Sequence, residues 1–248
     1  MISSNIIYFI NSVLLDLLKY KQNTEVRFKV LVRQVLFTGF EALPVVLFTS
    51  MLLGASVISI GYMYLDSFGQ SDWTYNILIS TLIRDFGPIL VAFIILLRSG
   101  TAISTEMGSM SFNGEIKYIK SLGISPISYL VTPRIIGLII SIIMLMLYFS
   151  SFGIIGGYLV SSFINFIPLK VFLIKMSLNI NMSDIFIMIA KVGVSAFVIG
   201  VICTFHGLRV ESSITEIPQR NIKAVTQSIV LILIVNLMFI FCYVFLKE

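Results

Sequence analysis

Arg84-Asp85-Phe86-Gly87-Pro88 opens the stretch whose reading decides the fold, and Gly153-Ile154-Ile155-Gly156-Gly157-Tyr158-Leu159 closes it. From Pro88 an apolar segment leads to Arg98-Ser99-Gly100 and Glu106-Met107-Gly108-Ser109-Met110. A polar interval follows, Ser111 to Ser125, closed by Pro126 and by Tyr129-Leu130-Val131-Thr132-Pro133-Arg134. A second long apolar segment then runs to the closing glycines. Two such segments joined by a compact, charged, glycine-punctuated insert predict two membrane helices and a structured loop. That loop is where a component outside the membrane can grip the chain.

Composition points the same way. Of the 248 residues, 58% are hydrophobic and 12% charged, half the charged share of an ordinary soluble domain. Mean hydropathy is +1.02. The net charge of +5 is spread along loops, so it reads as orientation charge beside membrane spans and not as a nucleic-acid footprint. Cys203 and Cys242 sit in apolar runs and read as small hydrophobes. Met1-Ile2-Ser3-Ser4 lacks a basic region, and Asn5, Asn11 and Asp16 interrupt the apolar run behind it, so no cleaved targeting segment is expected.

Working outward, residues 3–20 carry an amphipathic helix. Ile6, Phe9, Ile10, Val13, Leu14 and Leu17 share one face, and Asn5, Tyr8, Ser12, Asp16 and Lys19 the other. A helix this two-sided is expected in the membrane interface, an ordinary packed helix being the alternative. Spans are expected at about 43–65, 76–104, 135–160, 183–205 and 224–245. The second, at about 29 residues and roughly 43 Å, must tilt or kink, and Gly87-Pro88 is the obvious kink. A surface helix is expected over 106–125, with Gly123 and Pro126 as its stop. Gly153, Gly156 and Gly157 predict close helix approach in the third span. The fold class is therefore an all-α integral membrane protein, one domain over 1–248, with no internal repeat. Lys19, Lys21, Arg27, Lys29, Arg33, Lys117, Lys120, Arg134, Arg209, Arg220 and Lys223 fall in segments assigned to the inner side. Only Lys170, Lys175 and Lys247 fall on the other, so the N-terminus is expected inside and the C-terminus outside.

No Gly-x-x-x-x-Gly-Lys-Ser/Thr loop is present, so no nucleotide site is evident. His206 has no second histidine or paired cysteine, which argues against a metal centre or a nucleophile dyad. Charges inside spans carry more information, because each costs about 2.5–3.5 kcal/mol at the bilayer centre. Arg84, Asp85 and Lys191, with Asn236 in the last span, are the candidate substrate-path residues. Pairing or orientation of helices is the alternative for each. Arg98 and Glu106, eight residues apart on one face, read as structural.

The motifs quoted above, with Gly123-Ile124-Ser125-Pro126, Val32-Arg33-Gln34 and Ile189-Ala190-Lys191, resemble in order and spacing the MlaE-type ABC permeases, the membrane subunits associated with Mce-domain lipid transporters. The Asn236 position and the Ile/Asn/Lys-rich composition are similar to cyanobacterial and plastid-encoded members. The resemblance implies a homodimeric permease in a bacterial inner membrane or plastid inner envelope. It also implies two cytoplasmic ATPase subunits that bind ATP, so that this chain carries no cofactor and is not itself catalytic. It further implies an Mce-domain protein on the far side and movement of phospholipid or a similar amphiphile. The ATPase-coupling helix would fall on 106–125, with Arg98, Glu106, Gly108, Met110, Glu115, Gly123 and Pro126 as coupling or structural residues. Gly114 and Lys117 stand where the family usually has Glu and Asp, and Glu216-Ile217-Pro218-Gln219-Arg220-Asn221 replaces a Gly- and Thr-rich stretch. The alternative function is an ion-coupled secondary transporter or channel with Asp85, Glu106 and Lys191 as a relay.

Overall fold

In a computed structural model, residues 6–18, 31–65, 71–211 and 213–247 are described, and all regular structure among them is helical. Lys19, Lys21, Arg27 and Lys29, on which part of the charge asymmetry rests, lie outside the described residues. The α-helices are α1 (Ile6–Leu18), α2 (Glu41–Leu65), α3 (Ser71–Ile79), α4 (Phe86–Ile95) and α5 (Thr101–Phe112). They continue as α6 (Glu115–Ser121), α7 (Thr132–Asn165), α8 (Leu169–Asn179), α9 (Met182–Gly207) and α10 (Glu216–Lys247). Four π-helical turns, Leu36–Phe40, Ser80–Arg84, Leu96–Gly100 and Ile127–Val131, join or extend them.

Among the described residues five helical runs are long and apolar enough to cross a bilayer: Leu31–Tyr64, Trp73–Phe112, Ile127–Ile164, Met182–Gly207 and Glu216–Tyr243. They are called spans one to five below. Each contains its expected segment or nearly so, but all except the fourth extend well past it at one end. Hydropathy marks the part of a helix that suits lipid and not the polar turns at its ends. Span two is 40 residues, which would be about 60 Å if straight. It is broken at Asp85, as the Gly87-Pro88 pair predicts, and its two π turns add further irregularity.

Spans one and three meet backbone to backbone. A Cβ built on Gly54 would lie 1.9 Å from the Gly153 carbonyl oxygen, and one on Gly156 would lie 2.3 Å from that of Met51. Only hydrogen fits there, so the two backbones touch, which is how helices adhere where lipid removes any hydrophobic drive between them. α9 lies centrally, with Lys191, Val192, Ser195, Ala196 and Ile199 buried.

α1 packs on the bundle through Phe9 and Val13, 2% and 0% exposed, with the Phe9 and Phe205 rings 5.5 Å apart. Leu14, on the apolar face by periodicity, is exposed with Ile7, Tyr8 and Leu15. Asp16, expected on the solvent face, accepts a hydrogen bond of 2.7 Å from the Thr132 hydroxyl. The helix therefore has a docked edge and a free apolar edge. Thr132→Val keeps the shape and removes the donor, so it is expected to cost roughly 1 kcal/mol and to loosen α1 alone. Faster proteolysis within 6–18 at a nearly unchanged Tm would be the signature.

The polar insert is not one helix over 106–125. Residues up to Phe112 complete α5, Gly114 turns the chain at φ 79°, and the separate helix α6 has seven residues. It stops as Gly123 predicts. At φ 76°, Gly123 donates to the Lys120 carbonyl and Ile124 to that of Ile119, the paired bonds of a left-handed C-terminal cap.

Candidate functional site

The site is built on the break in span two. Proline at 88 has no N–H, so the carbonyl four residues earlier, on Arg84, loses its helical donor. Before it the helix widens into the Ser80–Arg84 π turn, and the Asp85 N–H reaches back to Ser80 O at 3.0 Å. The widened turn and Gly87 let the chain fold onto itself: a Cβ at 87 would sit 1.8 Å from Leu82 O.

Arg84 leaves the break toward the start of α9, where one Nη donates to Asp184 at 2.7 Å. Asp184 is 1% exposed and also accepts from the Asn181 backbone N–H at 3.2 Å, half of a capping box at the α9 N-terminus. That placement suits a carboxylate, because the helix dipole is positive there. The Arg84 guanidinium lies 5.5 Å from the Tyr243 ring centre on α10, near enough for a cation–π contact. Two turns along α9, Lys191 is 1% exposed and donates from Nζ to the Arg84 carbonyl at 2.7 Å. Ser80, Arg84, Asp85, Asp184, Ile187, Lys191, Phe239, Ile240 and Tyr243 enclose a cavity of about 160 Å³. Arg84 Nε and Asp184 Oδ1 are buried in its lining without a hydrogen-bond partner. Among the described residues no group of three His, Cys, Asp or Glu is placed to hold a metal.

Residues 31–242 match the model of the family described as Permease MlaE. The chain belongs to the MlaE permease family. It is 30% identical to a probable ABC transporter permease protein of Rickettsia conorii over 206 residues, 83% of this chain and 80% of that one. It is 27% identical to the intermembrane phospholipid transport system permease protein MlaE of Haemophilus influenzae over 133 residues, 54% of this chain and 51% of the other. It is 24% identical to the chloroplastic protein TRIGALACTOSYLDIACYLGLYCEROL 1 of Arabidopsis thaliana over 199 residues, 80% and 57% of the two chains. The chain is thus a multi-pass membrane permease.

In this MlaE-family chain the break gathers Arg84, Asp85 and Lys191 into one cavity, but not Asn236. Asn236 is 2% exposed on α10 and donates to its own helix at Ile232 O, 2.8 Å away, leaving Oδ1 unpartnered. Arg98 and Glu106 share no partner. Arg98 pairs with Glu41 of span one and also donates to Phe37 O, while Glu106 takes Arg134 of span three at 2.8 Å. Met110 lies beside that second pair, its sulfur 3.9 Å from the same Arg134 nitrogen. Gly108 gives α5 close access to the α9–α10 connection, since a Cβ there would meet Val210 and Ile217 at 3.2 and 3.3 Å. The Ser111 hydroxyl, lying between the Leu208 and Val210 carbonyls, fastens the same contact. Glu115 is exposed at the start of α6, and Pro126 is buried beyond its end.

Asp184 is the residue that sequence reasoning missed. The signal was present in Asn181-Met182-Ser183-Asp184, an Asn followed three residues later by an acid at a predicted helix start. His206, the chain's single histidine, is 5% exposed and hydrogen-bonded through Nε2 to Gln227 at 2.7 Å.

Proposed function

We propose that this chain is the membrane-spanning half of a homodimeric, ATP-driven transporter of phospholipid or a similar amphiphile, with the ATP bound by a separate subunit. The observation that carries the reading is the charged cavity at the break of span two, inside a permease whose sequence holds no nucleotide loop. A phospholipid headgroup is a compact anion on an apolar body. The cavity, of about 160 Å³, offers Arg84 beside apolar Phe239 and Ile240. Arg84 and Asp85 face the headgroup route, and spans one, two and five supply its apolar walls.

The energy enters at the polar insert. α6 and the turn after it expose Glu115, Lys117, Tyr118, Lys120, Leu122 and Ile124, a mixed charged and apolar surface suited to an ATPase partner. Displacement there reaches α9 through Gly108 and Ser111, and α9 carries Asp184 and Lys191 at the cavity. The N-terminus and the insert lie on the cytoplasmic or stromal side, the C-terminus and an Mce-domain partner on the other, in a bacterial inner membrane or plastid inner envelope. An ion relay through Asp85, Glu106 and Lys191 fits less well. Asp85 and Glu106 are 21 residues apart on span two, roughly 30 Å, and Glu106 is held by Arg134.

Purifying the native complex in mild detergent tests the proposal. An ATPase subunit, an Mce-domain protein and bound phospholipid, identified by mass spectrometry, are expected. A chain that purifies without an ATPase, or ATP turnover indifferent to lipid, would overturn it.

A further inference from the structure

We propose that Lys191 is a positioning residue, whose ammonium stands in for the N–H that Pro88 lacks and so holds the break that presents Arg84 and Asp85 to the cavity. The register is specific. A helical proline orphans the carbonyl four residues before it, which here is Arg84 O, and Lys191 Nζ donates to that oxygen at 2.7 Å. Pro133 stands at the first positions of α7, whereas Pro44 lies inside the helical run of span one. Pro88 likewise follows a helical run inside a span, where lipid supplies no donor and an unmet carbonyl is costly, and there the chain is visibly broken at Asp85. Among the turn and loop backbone bonds of the described residues, the Asp85 N–H goes to Ser80 O at 3.0 Å and none goes to the Arg84 carbonyl.

Lys191 also sits at the C-terminal end of the helical run 71–84, where the macrodipole favours a cation. One residue thus answers the missing donor, the dipole and its own burial, at 1% exposure. Charge alone, as in a residue kept to meet an anionic substrate, does not explain why the ammonium is spent on a backbone oxygen. The consequence for transport rests on the function proposed above; the structural assignment does not.

The test is epistasis between Lys191 and Pro88, read by amide hydrogen exchange of the purified native complex. Lys191→Met is expected to speed exchange across 84–92 by about tenfold in the native background, from an unmet carbonyl. Where Pro88→Ala already supplies an amide, the same change should speed it by less than about twofold, and Lys191→Arg should keep most of the protection. Equal acceleration in both backgrounds, or none in either, overturns the proposal. If Lys191→Met alone does not accumulate, accumulation of the Lys191→Met, Pro88→Ala double variant supports it, and failure of both overturns it.

ATP turnover stimulated by phosphatidylcholine–phosphatidylglycerol vesicles gives the second readout. It should fall about tenfold in Lys191→Met and recover in the double variant. Turnover that stays low after exchange has recovered overturns the assignment. A wild-type complex without lipid-stimulated turnover sinks the transport reading and leaves the exchange result to decide Lys191.

Discussion

Asp184→Ala is expected to cost roughly 3–5 kcal/mol of stability and to reduce lipid-stimulated ATP turnover at least tenfold. Its carboxylate is the counter-charge for Arg84, at 2.7 Å, and its side chain is fully shielded from solvent. Removing one member of a buried pair strands the other, and that stranded charge costs more than the pair itself stabilises. A second loss, of about 1 kcal/mol, comes from the α9 capping box, since the same oxygen accepts the Asn181 N–H. Arg84 keeps its position over the Tyr243 ring, and its side chain is 18% exposed, which softens the penalty. Asp184→Asn should therefore fall between wild type and alanine, retaining a cap acceptor while losing the charge. In the Arg84→Ala background Asp184→Ala should cost about 1–3 kcal/mol less, because no cation is left stranded. Thermal unfolding of the four proteins in one detergent measures the cycle. Additive effects, or an Asp184→Ala protein within about 0.5 kcal/mol of wild type, would show that the pair does not hold α9 to span two.

What was legible beforehand follows from which forces act along the chain and which act across it. Five spans, the break at Gly87-Pro88, the glycine face of the third span and the stop at Gly123 are local properties of composition, ring geometry and backbone freedom. Their centres could be placed, although most of the spans run on well past the ends expected of them. Partners that meet from distant parts of the chain could not. Periodicity puts Arg98 and Glu106 on one face but says nothing of Glu41 or Arg134, which lie on other spans. Asp16 reads as solvent-facing on its own helix, and its partner Thr132 is 116 residues away. The cavity was half visible: an unexplained charge inside a span must be met by something, so Arg84, Asp85 and Lys191 stood out. Asp184 did not, because at the edge of an apolar segment an acid looks like an ordinary helix start. The π turns have no sequence signature, and the 106–125 segment reads as one helix unless Gly114 is known to take the left-handed turn that divides it.

Gly54→Val is expected to prevent the native bundle from accumulating, and even Gly54→Ala should cost upwards of about 3 kcal/mol. The first added carbon would lie 1.9 Å from the Gly153 carbonyl oxygen and 2.7 Å from its carbon, against backbone that has no rotamer to yield. Spans one and three would have to separate. The reciprocal contact of Gly156 on Met51, at 2.3 Å to the oxygen, would open with them, as would the seat of Gly157 against Ile58. In lipid that separation is not repaid by hydrophobic contact elsewhere, because the acyl chains already satisfy any apolar side chain. Gly193→Ala is the control, since a Cβ there meets nothing within 4 Å and alanine is the better helix former by about 0.5–1 kcal/mol. Size-exclusion profiles and Tm of the variants in detergent separate the two cases: loss of the native peak at position 54, and an unchanged or slightly raised Tm at position 193. A Gly54→Val protein that elutes and melts as wild type would mean that spans one and three do not meet backbone to backbone. The adhesion of the bundle would then have to be sought at Gly100 and Gly207, where α9 crosses span two.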